Sequence, residues 1–122
     1  MQCVERIESS GGVTIFRAVA RDRVLSELRE WSVAQKRSHP EVVRIGVFGS
    51  YARGDYSPGS DVDLLVIVRK SAEPRWYMRA IGFDTLILTV PADVFVYTEA
   101  ECDRMAKDNL WMKHVLDETI WL

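Results

Sequence analysis

The run Leu64-Leu65-Val66-Ile67-Val68 constrains the fold more than any other stretch of this chain. It is continuously apolar, and the residues before it, Asp61 and Asp63, are acidic. So short a run between polar flanks reads as a strand, and apolar side chains at consecutive positions need cover on both faces. The chain must therefore supply layers on either side of a strand over Asp61–Val68. Val42–Phe48, rich in β-branched residues and followed by Gly49-Ser50, reads as a second strand, and Val94–Tyr97 as a third.

The cover comes from segments of helical spacing. Val19, Val24, Leu25, Leu28, Trp31 and Val33 predict a helix from about Phe16 to Arg37, stopped before Pro40. Trp76, Ala80, Phe83 and Ile87 predict a helix over Glu73–Leu88, with a strand at Thr85–Val90 as the competing reading. Met105, Leu110, Met112, Val115 and Leu116 predict a last amphipathic helix over Glu99–Glu118. Ser50–Arg53 fits one helical turn and Gly54–Ser60 a loop. The order helix, strand, strand, helix, strand, helix implies an α/β (α+β) fold, a small sheet flanked by helices. The short link between the first two strands allows them to be antiparallel, so a mixed sheet is expected. Residues 1–12, ending in Ser9-Ser10-Gly11-Gly12, read as a flexible N-terminal arm, and residues 13–122 as a single domain.

Hydrophobic residues make up 48% and charged residues 28% of the 122, an ordinary globular balance. Lys plus Arg number 16 against 18 Asp plus Glu, a net charge of -2. That balance argues against extended nucleic-acid binding and against an anionic membrane surface. No apolar run approaches the ~20 residues of a membrane span. Cys3 and Cys102 lack neighbours at ligand spacing, and His39 and His114 are far apart, so neither a disulfide framework nor a zinc pattern is expected. A reducing, cytoplasmic setting fits.

The chemistry concentrates in Gly49-Ser50-Tyr51-Ala52-Arg53-Gly54 and, after it, Ser60-Asp61-Val62-Asp63. A strand that turns into a helix start at Gly-Ser offers free N–H groups to a phosphate, and Gly49 lets the phosphate come close. Asp61 and Asp63 are two apart on a strand and share a face. Such carboxylates repel unless a cation lies between them, and their hard oxygens suit Mg²⁺. A solvated acidic turn is the alternative, weighed against by the buried strand that follows at once. Asp93, at the start of Ala92-Asp93-Val94-Phe95-Val96, is the candidate third acid, as metal ligand or general base. It could instead face water at its strand's start, and Asp84 is the alternative third acid.

Gly49-Ser50, ten intervening residues, then Asp61-Val62-Asp63, with Ala52-Arg53-Gly54 between, resembles the signature of the minimal nucleotidyltransferases, the MNT branch of the DNA polymerase β-like superfamily. The resemblance runs from the helix before Val42 to the C-terminal helix. It implies that Gly49 and Ser50 hold the phosphates of ATP, that Asp61 and Asp63 ligate two Mg²⁺ ions, and that Asp93 helps one ion and activates the acceptor hydroxyl. Arg53 would lie near the phosphates or brace the loop in a structural ion pair. The implied reaction moves AMP from ATP to a hydroxyl, with pyrophosphate leaving. Larger enzymes of the superfamily carry an acceptor-binding domain, for which no residues are left here. The acceptor is then small or brought by another chain.

MNT proteins pair with HEPN-domain RNase toxins. The expected role is that of an antitoxin that adenylylates a tyrosine of a HEPN partner. A subunit of a small-molecule (aminoglycoside-type) nucleotidyltransferase is the runner-up, and a non-catalytic binding antitoxin the third reading. Trp111, Val115, Ile120, Trp121 and Leu122 form an apolar surplus near the C-terminus, read as an exposed interaction patch, with folding back over the sheet as the rival. Arg75, Arg79 and Lys113 are expected on solvated helix faces.

Overall fold

Alternation along the strand Val42–Phe48 (β1) decides what lies on each side of the sheet. Ile45 and Val47 point to one face, Gly46 and Phe48 to the other. The computed structural model describes the backbone of residues 10–57 and 59–122, with side chains from Ala20 onward apart from Pro58. Its other strands are β2 (Val62–Val68), β3 (Ala92–Thr98) and β4 (Ile120–Trp121). The helices are α1 (Ser10–Ser38), α2 (Ser50–Arg53), α3 (Trp76–Arg79), α4 (Glu99–Asp108) and α5 (Leu110–Glu118).

The four-stranded sheet has the order β3-β2-β1-β4. β1 is antiparallel to both β2 and β4, whereas β2 and β3 run parallel from Val62 beside Ala92 to Val68 beside Thr98. The sheet is thus mixed, as expected. α1 covers one face, packing Leu25, Leu28 and Trp31 against the layer that holds Ile45, Val47, Leu64 and Val66. α4 and α5 cover the other with Cys102, Met112 and Val115 over Phe48, Leu65 and Ile67. Leu64 and Leu65, neighbours in sequence, are both fully buried on opposite faces, the two-sided cover that the apolar run required. No helix among the described residues is long and apolar enough to cross a membrane.

Several expectations need correction. α1 begins at Ser10, so Ser10–Gly12 belong to a helix and not to an irregular arm; residues 1–9 lie outside the described ones. Within α1, Val33 is exposed and Ser32 and Gln35 are buried, a shift of the inward face by about one position.

The expected helix over Glu73–Leu88 is much shorter. It comprises α3 and one 3-10 turn at Ala80–Gly82, followed by irregular chain to Pro91, with no strand at Thr85–Val90. Gly82 and Thr85 are weak helix formers, and Leu86, 95% exposed, finds no apolar layer to join. Other bonds hold this segment. Trp31 Nε1 donates to the Asp84 carbonyl at 2.7 Å, and Thr89 N and Oγ1 donate to Glu27 at 2.9 and 2.8 Å.

The expected helix over Glu99–Glu118 is two helices. Asn109 is extended, and its side-chain oxygen accepts from the N–H groups of Trp111 and Met112, restarting the helix as α5. α4 starts with a reciprocal pair in which Glu101 N donates to Thr98 Oγ1 and Thr98 N to Glu101 Oε1. Glu101 also receives Arg79 at 2.6 and 3.1 Å. The Arg79 side chain is only 5% exposed, so it is a buried ion-pair partner rather than part of a solvated face.

The C-terminal apolar residues mostly fold back. Val115 is in the core, Ile120 and Trp121 pair with Val47 and Gly46, and Leu122 N donates to Ile45 O at 2.9 Å. The Arg44 guanidinium covers the Trp121 ring at 4.0 Å. Only Trp111, 42% exposed, stays open to solvent together with its neighbour Leu110.

This return of the chain depends on Gly46. A Cβ there would collide with Thr119 Cγ2 and stand 2.8 Å from the Trp121 ring. Gly46→Ala is therefore expected to lower stability by about 1–3 kcal/mol, read as a lower denaturant midpoint. An unchanged midpoint would mean that β4 yields freely.

Candidate active site

The strand register brings the site together. On β2, Asp63 stands beside Phe48 of antiparallel β1 and beside Asp93 of parallel β3. The C-terminal end of β1 and the N-terminal ends of β2 and β3 therefore meet at one edge. Asp61 lies just before β2 and is exposed, as is Asp93, while Asp63 is half-buried. Asp84 does not join them. It lies in the irregular chain after the 3-10 turn, and its carboxylate accepts from Leu86 N in a local turn. Asp93 is the acid in register with Asp63.

Phe48 leads directly into Gly49, whose backbone sits at φ 75°, ψ -151°, a region open essentially to glycine alone. A Cβ on Gly49 would collide with the Asp63 carboxylate. The turn of Gly49 and Ser50 is thus packed directly against the acid. α2 follows, and Arg21 of α1 secures its end by donating to the carbonyls of Tyr51 at 2.7 Å and Ala52 at 2.6 Å. Tyr51 is buried and stacks on Tyr56 with ring centroids 4.2 Å apart.

Arg53 leaves α2 and forms ion pairs with Glu118 at 3.0 Å and Asp55 at 3.2 Å. Glu118 is the last residue of α5. Its Oε2 accepts from Gly49 N–H at 2.6 Å, and His114 Nε2 lies 3.2 Å from its Oε1. Glu118, His114 and Arg21 are not among the candidate site residues read from the sequence. The spacing of His114 and Glu118 would show that they share a helix face. Nothing local links Glu118 to Gly49, which is 69 residues away.

A cavity of about 360 Å³ opens here, lined among others by Gly49, Ser50, Arg53, Asp63, Trp111 and Glu118. A larger one of about 740 Å³ lies at the other end of the sheet, beside Val68, Lys70 and Arg79, and contains none of the three aspartates. The smaller cavity is the candidate site because it joins an acid to the glycine turn.

Burial, then the charges of Asp93 and Asp61, hold the Asp63 carboxyl above its ordinary value; Arg53 opposes this and Glu118 adds to it. A cation between the acids would relieve that repulsion. Among the described residues no group of three or more His, Cys, Asp and Glu side chains converges closely enough to hold a metal ion. The donors present are nonetheless all carboxylate oxygens on adjoining strand ends, the ligand type that suits Mg²⁺ completed by substrate phosphates.

The raised Asp63 carboxyl sets a pH dependence. Its folded-state value exceeds the ordinary 3.8, so its contribution to stability is full below that value and is lost as pH rises through the folded one. At neutral pH the ionised group therefore costs stability. Asp63→Asn is expected to melt above the wild type at about pH 7 without divalent metal, and the gap should close below about pH 4. Thermal unfolding across this range checks it, and a variant that melts lower at neutral pH would contradict the assignment.

Residues 28–119 match the nucleotidyltransferase domain family. A poly(A) polymerase of Dictyostelium discoideum is 36% identical over 92 residues, covering 64% of this chain and 11% of that protein. A bifunctional uridylyltransferase/uridylyl-removing enzyme of Vibrio atlanticus is 28% identical over 109 residues, 88% of this chain and 12% of that protein. A candidate protein adenylyltransferase of Methanocaldococcus jannaschii is 59% identical over 27 residues, 22% of this chain and 27% of that one. The chain thus spans only a small part of each of these relatives. The crystal structure of a candidate nucleotidyltransferase from Sulfolobus solfataricus superposes with a TM-score of 0.60 at 28% identity, covering 72% of this chain and 78% of that one. With the family matched over most of its length and the strand register gathering the motif at one edge, this chain belongs to the nucleotidyltransferase domain family.

Proposed function

We propose that this chain transfers AMP from ATP to a hydroxyl acceptor, a tyrosine of a HEPN-domain toxin partner, and so acts as an antitoxin. One observation carries the transfer chemistry. Asp63 is in register with Asp93, and the Gly49 backbone is packed on the Asp63 carboxylate. Phosphates held at the glycine turn would therefore lie against the acids. Likeness to a candidate protein adenylyltransferase supports a protein acceptor, and the exposed Trp111 at the cavity offers such a partner an anchor.

In this reading Gly49 and Ser50 bind the phosphates and Arg53 offsets their charge. Asp61, Asp63 and Asp93 would hold two Mg²⁺ ions, which when bound neutralise the triphosphate and align the attacking and leaving oxygens. The Asp93 carboxylate takes the acceptor hydroxyl's proton. The acceptor oxygen forms a bond to the α-phosphorus, the bond from that phosphorus to the bridging oxygen breaks, and pyrophosphate leaves.

Asp93→Asn is expected to slow transfer by about 10²–10⁴-fold with ATP affinity largely kept, because base catalysis acts in the transition state. The Asp61→Asn, Asp63→Asn double variant should lose Mg²⁺-dependent ATP binding by calorimetry while remaining folded. Equal ATP binding by that variant would sink the metal assignment, and unchanged transfer by Asp93→Asn would move the base elsewhere.

The acceptor is tested by incubating the chain with ATP, Mg²⁺ and a HEPN-domain partner, then weighing the intact partner. A gain of one or more AMP units on tyrosine is expected, dependent on Asp61 and Asp63. A partner that neither binds nor gains mass, while an aminoglycoside is nucleotidylated instead, would establish the small-molecule reading.

A further inference from the structure

The Gly49 amide, a donor that a nucleotide phosphate would use, already has an anion. Glu118 Oε2 accepts its hydrogen at 2.6 Å, and Arg53 Nη1 lies 3.0 and 3.3 Å from the two Glu118 oxygens. His114 Nε2 approaches the same carboxylate at 3.2 Å. The Glu118 side chain is only 13% exposed although it ends a surface helix. It thus sits in a place built for an anion: a glycine N–H, a guanidinium and an imidazole.

The backbone around Glu118 is fastened independently of its side-chain contacts. Thr119 N donates back to Val115 O, and Ile120 and Trp121 pair with Val47 and Gly46. Side-chain torsions alone can withdraw the carboxylate. A phosphate arriving at Gly49 would meet the same donors and, within the same cavity, the charges of Glu118 and Asp63. Two anions cannot share one N–H, and at such range they repel.

We propose that Glu118 is a resident anion with which a substrate phosphate exchanges at Gly49 and Arg53, making Glu118 a residue that sets the affinity and the selectivity of the site. The inference rests on the nucleotidyltransferase reading above. No covalent step is involved: the carboxylate swings out and its donors pass to phosphate oxygens. The exchange favours polyphosphates, since a ligand must engage the turn and the guanidinium together to replace what Glu118 loses. A nucleoside without phosphates has no group for the exchange. If Glu118 were instead a brace that holds Gly49 and Arg53 in shape, its removal would weaken phosphate binding, so the two roles differ in sign.

Calorimetric titration of the full chain with inorganic tripolyphosphate and with ATP, each with Mg²⁺, separates them. Glu118→Gln keeps the size and removes the charge. It is expected to bind both ligands roughly five- to tenfold more tightly than wild type, the scale of one unit charge removed at close range. Glu118→Asp keeps the charge and should show no such gain. Unchanged or weaker binding by Glu118→Gln, with wild type still binding, overturns the inference alone. Failure of every variant and of wild type to bind either ligand removes the nucleotidyltransferase reading and this inference with it. Should Glu118→Gln not fold, the ¹⁵N–¹H resonance of Gly49 in wild type decides. A shift on tripolyphosphate addition is expected, and an unmoved resonance while binding is detected overturns the exchange.

Discussion

The contact between the Gly49 backbone and the Asp63 carboxylate governs the rest of this structure. A side chain at residue 49 would collide with the acid, and the backbone there lies in a region that only glycine occupies without strain. The end of β1 is thereby held against the start of β2. The antiparallel register then sets Phe48 opposite Asp63, and the parallel register of β3 brings in Asp93. A one-residue slip in either pairing would turn Asp63 or Asp93 toward α1 and disperse the acids.

The second face of the sheet has two tasks. α4 and α5 bury Leu65, Ile67 and Phe48, and α5 also carries Trp111, His114 and Glu118 to the cavity. Asn109 makes this possible, because its break in the helix re-aims α5 and caps it anew. Gly46 then leaves room for Thr119 and Trp121, so the chain can return as β4 and fasten Glu118 beside Gly49. Packing and chemistry are joined here through a few small-residue positions.

The candidate site was partly legible before the fold. Gly49, Ser50, Asp61 and Asp63 lie close in sequence, with a spacing that ties a turn to a strand start. Asp93 could be named from its place at the head of an apolar strand, but its pairing with Asp63 is a register fact. The capping pair Thr98 and Glu101 leaves a local mark as well, three residues apart at a helix start. The helix over Glu73–Leu88 misled because its apolar spacing is helical while no layer was free to receive Leu86 and Ile87. Arg79 misled in the opposite way. Alone it is a surface cation, and only the fold sets it against Glu101.

By itself the sequence determined the elements whose signals are local: the buried strand at Leu64–Val68, the strand before Gly49, the helix ahead of Pro40, and the acidic pair at a fixed distance from a glycine turn. These follow from side-chain periodicity and backbone sterics within a few residues. The tertiary structure alone decided the strand order, the register that sets Asp93 and not Asp84 beside Asp63, the return of the C-terminus as β4, and the meeting of Glu118 with Gly49 and Arg53. Those are contacts between residues tens of positions apart, and they form only when burial of both sheet faces brings their elements together.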